Sequence, residues 1–211
     1  MARGKSPEGK MRLTEVQRGL IGQTEAAKCL MIGTDGELEC DNPQTDDEHR
    51  DQEIHRRRHF LAVALQIKTT WRLWVHRQSE VIQVPFTVHA KKLVNDARFY
   101  YLFAFFDKKT MTVRDPMFLV PSAVVHQHAM PRLVAGRWRF NFQASLKPDA
   151  RDFFSAYRVT RATLGKELLK VIRELEAQQR NPSLRMPAAT AMQGALWVQP
   201  QQRRRAMRKA A

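Results

Sequence analysis

The stretch Phe99-Tyr-Tyr-Leu-Phe-Ala-Phe-Phe106 constrains the fold more than any other part of this sequence. It is rich in aromatic groups that favour strands, and it falls far short of the roughly 18 apolar residues that a membrane span requires. Alternation leaves it with two apolar faces, so it needs cover on both and belongs at the centre of a sheet. A chain of 211 residues, 43% of them hydrophobic, can build such a core as one domain.

A second apolar run, Phe60-Leu-Ala-Val-Ala-Leu-Gln-Ile-Lys-Thr-Thr70, ends differently. Period-two geometry puts Leu61, Val63, Leu65 and Ile67 on one face, suited to packing under a helix. Phe60, Ala62, Ala64, Gln66 and Lys68 share the other, where small alanines lead to an amide and an ammonium two positions apart. That face is open enough for a ligand.

The polar segment before it, from Asp46 to Arg58, predicts a strand from about Asp51 and a turn over Arg56 to His59. On that strand Asp51, Glu53 and His55 share a face, with Ile54 opposite. If Ile54 joins the aliphatic layer, Asp51 lies beside Gln66 and Lys68. Asp47 has the same parity, so alternation leaves both carboxylates as candidates.

Elsewhere the patterns are more ordinary. Leu13, Val16, Leu20, Ala27 and Met31 recur at helical spacing and predict an amphipathic helix ended by Gly33, in which Gly19 and Gly22 allow close packing or mark a break. A loop follows, with a short strand at Glu37 to Cys40. Trp71 to His76 continues extended, Val81 to Val88 reads as a third strand, and Pro85 within it argues for an edge or an end. His89 to Ala97 reads as a short helix, 111–113 and 117–120 as short strands, and Ser122 to Met130 as helical. His126 and His128 would form a chelating pair only if that segment were a strand. Trp138 to Ser145 alternates as a strand does. Phe153 to Tyr157 fits a short helix, and Leu164 to Leu175 a longer one. Three parts result: a flexible basic arm over 1–11, one domain over 12–179, and a disordered basic tail over 180–211, in which Leu196, Trp197 and Val198 offer a short docking motif.

The formal net charge of +15 favours a polyanionic partner. A polar, basic start without an apolar leader core, together with only Cys29 and Cys40, points to a soluble protein of the reducing cytoplasm, with no disulfide or zinc framework and no membrane association.

Helix, loop, acidic strand, then a strand ending in Gln66-Ile67-Lys68 with Thr69 behind it, resembles the PD-(D/E)xK nuclease superfamily. The similarity is to bacterial members with Gln-x-Lys in place of Glu-x-Lys, uncharacterised proteins grouped only as a domain of unknown function. It runs from about Leu13 to Phe106, with 107–179 as an extension. The resemblance implies an α/β (α+β) fold: a restriction-endonuclease-like mixed sheet flanked by helices, with extra strands and helices toward the C-terminus. It also implies a magnesium- or manganese-dependent endonuclease acting on DNA, with RNA as the other candidate. Asp51, Gln66 and Lys68 are then the catalytic set, Asp51 and Gln66 hold the metal, and Asp47 is in reserve. Relatives place a helix glutamate after a glycine. Here Gln23 follows Gly22 and Glu25 stands two positions on, about 200° around the helix, so the two cannot serve one face.

Arg56, Arg57, Arg58, Trp71 and Arg72 are candidate nucleic-acid contacts, although a tryptophan leaving a strand more often packs against its neighbours. No element reads as a groove-reading helix. The neutral Gln66 weakens cation binding, which leaves a nuclease-like fold that binds without cutting as an alternative, and the basic tail offers another, a scaffold that docks a partner through it.

Overall fold

A computed structural model describes residues 13–43, 50–76 and 78–179. The arm over 1–11, the reserve carboxylate Asp47 and the tail over 180–211 lie outside the described residues.

Helix α1 (Glu15–Gly33) opens the described chain. Thr14 caps it: the Thr14 hydroxyl accepts from the Gln17 amide at 3.2 Å, and the Gln17 side chain accepts from the Thr14 N–H at 2.9 Å. The strands β1 (Leu38–Asp41), β2 (Gln52–Arg56), β3 (Ala62–Thr70), β6 (Phe99–Asp107), β7 (Thr112–Pro121) and β10 (Arg158–Val159) form a six-stranded sheet in the order β1-β2-β3-β6-β7-β10. Only β3 and β6 run parallel, so the sheet is mixed. The chain between them builds β4 (Trp74–His76) and β5 (Ser79–His89), which join β8 (Arg132–Val134) and β9 (Arg137–Ser145) in an antiparallel second sheet, β4-β5-β9-β8. Helices α2 (Ser122–His128) and α3 (Leu164–Gln179) complete the α+β architecture. No helix among the described residues is long and apolar enough to cross a membrane.

Strand β6 is central, as its two apolar faces require. Leu102, Ala104 and Phe106 join a core with β3, α1 and α3, whereas Phe99, Tyr101 and Phe103 join another with β5 and β9. The layers are therefore α1 with α3, the first sheet, and the second sheet, with α2 packed in the core on the second sheet's side. Phe103 and Phe142 stack across the second interface with ring centroids 3.8 Å apart. In β3, Val63, Leu65 and Ile67 face the helices, together with Ile54 of β2.

The two short strands expected at 111–113 and 117–120 are one continuous strand, β7, and three further local expectations change. Helix α1 buries Gly22, Ala26, Cys29 and Leu30, while Val16 and Leu20, part of the large apolar stripe, are 82% and 60% exposed. The helix is continuous through both glycines. A Cβ on Gly22 would stand 2.4 Å from Cγ2 of Thr69, so the small face permits a close approach to β3 that a bulkier face would block. Second, β5 belongs to the second sheet rather than the first. The expectation for Pro85 holds locally, because β4 pairs only with Ser79 to Val81 and leaves that side of β5 without a strand farther on. Third, His89 to Ala97 contains only a 3-10 turn, Ala90–Lys92.

Candidate functional site

The pairing of β2 with β3 sets Gln52 opposite Leu65 and Ile54 opposite Val63, which brings Asp51 alongside Gln66. Oδ2 of Asp51 accepts from Nε2 of Gln66 at 2.5 Å and from the backbone N–H of Ile67 at 2.6 Å. Gln66 is only 4% exposed. A carboxylate only accepts, so the amide must turn its nitrogen toward Asp51, and Oε1 is the end able to coordinate a cation. Gln52 points the other way, toward the helices, where its amide donates to the Gln23 carbonyl at 3.1 Å and ties β2 to α1.

Asp51 and Lys68 line one open cleft of about 610 Å³ between α1, the end of β3 and β5. Gln23, Trp71 and Arg72 line it too, and Val84, Pro85 and Phe86 form the β5 wall. Nζ of Lys68 lies 5.9 Å from the Phe86 ring centroid. The lining carries four cations, Arg18, Lys68, Arg72 and Lys108, against the carboxylates Glu15 and Asp51, a balance that suits a phosphodiester.

The helix candidates separate as their angular offset requires. Gln23 faces the cleft, and Glu25 faces β7, where it accepts from Lys28 at 2.5 Å and Thr112 at 2.9 Å. Burial works to raise the Glu25 pKa, but those hydrogen bonds outweigh it and hold the carboxyl below its ordinary value.

The basic turn does not join this cleft. Arg56 ends β2, and the turn leads into the start of β3, about 20 Å along that strand from Lys68 at 3.3 Å per residue. Arg56 binds Glu176 at 2.7 Å and Glu37 at 3.1 Å, Arg57 approaches Glu39 at 3.7 Å, and Arg58 sits at φ 66 in the turn. Trp71 stacks on Phe106 at 4.3 Å, and the guanidinium of Arg72 lies over Trp74 at 5.1 Å.

Helix geometry carries His126 and His128 apart. Nε2 of His126 meets the Tyr101 hydroxyl at 3.0 Å, while His128 stacks on Phe153. Burial pushes the His126 pKa down to about 4.

Arg18, Lys108 and Glu15 are cleft residues that the sequence reading missed. Arg18 and Lys108 lie 5.9 and 5.7 Å from the Trp71 ring centroid. The spacing Glu15, Gly19, Gln23 was a usable signal, obscured by the larger apolar stripe that adjoins it.

Among the described residues no group of three or more His, Cys, Asp and Glu side chains converges on a metal position. One carboxylate with an amide oxygen still falls within what magnesium accepts, because that ion uses one or two carboxylates and keeps several waters.

No protein-family model matches the chain, and no curated protein does. Among solved structures, the bacterial homing endonuclease I-Ssp6803I matches with a TM-score of 0.45 and 11% identity, covering 80% of this chain and 99% of that one. That score is below the level at which a likeness establishes a common fold.

Proposed function

We propose that this protein is a metal-dependent endonuclease that hydrolyses DNA phosphodiester bonds in the cleft between α1, β3 and β5. The observation that carries the reading is the Asp51 carboxylate, fixed by Gln66 and the Ile67 amide, in the same cleft as Lys68. Asp51 and Oε1 of Gln66 would hold Mg²⁺ or Mn²⁺, which when bound lowers the pKa of water and offsets charge on the phosphoryl oxygens. Lys68 orients the attacking water and neutralises part of the charge that builds on the phosphate. Gln23 and the cleft cations position the strand.

The test is cleavage of plasmid and single-stranded DNA, and of RNA, with Mg²⁺ or Mn²⁺. Asp51→Asn, which keeps an acceptor oxygen for Ile67, and Lys68→Ala should each lower the rate at least a hundredfold. Wild-type rates in both variants would exclude this site.

A second reading follows from the Gln66 amide, which brings no charge to a cation and spends its nitrogen on Asp51. A chain of this kind that binds DNA without cutting it would show salt-sensitive binding that survives Lys68→Ala, with no metal-dependent product.

A further inference from the structure

The outward face of the second sheet is a basic, polar surface that the cleft chemistry does not use. Arg137, Arg139, Asn141 and Gln143 alternate along β9 with the inward Trp138, Phe140, Phe142 and Ala144. The register sets Arg132 of β8 directly opposite Arg139, and Thr87 and His89 of β5 opposite Arg139 and Arg137. Cross-strand partners share a face, so all three arginines project from one side of the β8–β9 ribbon. They are exposed, and among the described residues none has an ion pair or a side-chain hydrogen bond. The outward positions of β5, β8 and β9 carry no Asp or Glu.

Like charges set directly opposite on a ribbon destabilise it, and a single edge charge is enough to discourage edge-to-edge pairing. An anionic ligand would remove that repulsion. The turn is as compact as a hairpin allows: Ala135 and Gly136 lie at φ 49 and 72, the two positive values of a two-residue loop. The hairpin forms one edge of the second sheet, with β9 hydrogen-bonded to β5 along its length and β8 as the edge strand. Its exposed arginines suit the reading of DNA bases, since arginine pairs with guanine edges.

We propose that the β8–β9 ribbon, with the outward residues of β5, reads base edges in the major groove of duplex DNA. The proposal rests on the nuclease reading only for the choice of DNA as the polyanion. Pro85 joins the two surfaces, because it lines the cleft and also pairs with Asn141. Strands β9 and β8 lie roughly 5 and 10 Å across from β5, and Thr87 and His89 lie roughly 7 and 13 Å along it.

The experiment is selection of bound duplexes from a randomised library by the full chain in EDTA, followed by affinity measurements on enriched and random duplexes. The wild type should enrich a sequence preference. Arg132→Ala and Arg139→Ala should each lower affinity for the enriched duplex about tenfold more than for random DNA, with relaxed preference at one or two positions. Unchanged thermal unfolding confirms that these exposed substitutions leave the fold intact. An unchanged preference in both variants, or equal losses on enriched and random duplexes, overturns the proposal. Binding is read without metal, so its failure is separable from that of the nuclease. Cleavage that needs Lys68 alongside an unaltered preference sinks the ribbon alone, and a relaxed preference without cleavage by any form supports the ribbon while sinking the nuclease.

Discussion

Asp51 and Gln66 meet at 2.5 Å across the β2–β3 pairing, the carboxylate as acceptor and the amide as donor. The contact sets the geometry of both side chains, with Asp51 lining the cleft and Gln66 buried behind it, and it explains why a neutral residue sits well beside a carboxylate there. A second carboxylate in that position would need a proton or a cation between the two groups.

Gln66→Glu tests that statement. In EDTA the variant should be less stable than the wild type by about 1–3 kcal/mol, because a hydrogen bond is replaced by repulsion between two adjacent acids, one of them buried. Mn²⁺ should then raise its melting temperature more than it raises that of the wild type, since binding to the native state alone adds stability by mass action. Thermal unfolding with and without the ion decides. A melting temperature of the variant that ignores Mn²⁺ would rule out a shared cation at these two residues.

Helix α1 approaches β3 closely because residue 22 has no Cβ. Adding one places it 2.4 Å from Cγ2 and 2.7 Å from Oγ1 of Thr69, a β-branched side chain with little freedom to move. Gly22→Ala should therefore cost about 1–3 kcal/mol despite the better helix propensity of alanine, and Thr69→Ser in the same chain should recover part of that loss. The coupling is read from a double-mutant cycle in urea. Additive effects would mean that α1 and β3 do not meet at this point.

What was legible in the sequence follows from which signals are local. Parity along β3 and β2 found the side of Asp51, because a one-residue slip would expose Ile54 and Leu65, both 0% exposed. The central place of β6 followed from its two apolar faces. The orientation of α1 did not, since Val16, Leu20 and Met31 lie outward and the contact face sets one large residue, Leu30, beside Gly22, Ala26 and Cys29; small residues carry weak hydropathy and reveal themselves only through a close neighbour. Arg56 is basic in a basic turn, and nothing local announces Glu176, 120 positions away, as its partner. The ribbon was equally hidden. Arg132 and Arg139 face each other only once the register of β8 and β9 is fixed.

His126 gives the fold a dependence on pH. Burial depresses its pKa to about 4 from an ordinary 6.5, so between those values the unfolded chain takes up a proton that the native state refuses. Stability from this group is complete above about pH 6.5 and declines as the pH falls toward 4. His126→Gln can still accept a hydrogen bond from the Tyr101 hydroxyl but cannot titrate, so its melting temperature should fall less between pH 7 and pH 4.5 than that of the wild type. Parallel curves for the two proteins would exclude His126 as the source.

The cations around Trp71 should act on the ligand more than on the fold. Arg18 and Lys108 lie near the indole without a carboxylate partner among the described residues, and Nε of Arg18 and Nε1 of Trp71 are buried donors with no hydrogen bond. Each cation–π contact is worth about 0.5–1 kcal/mol, so Arg18→Gln and Lys108→Gln, which keep the aliphatic stems, should shift the melting temperature by only a few degrees. Their effect on DNA should be larger in one respect. Every phosphate contact removed lowers the slope of log affinity against log salt by about 0.9, and the double variant should lose close to two such contacts. Affinity titrations of one duplex across a range of salt concentrations, in EDTA, measure this directly. A slope unchanged in the double variant would place the phosphate path elsewhere and leave these two side chains as packing for Trp71.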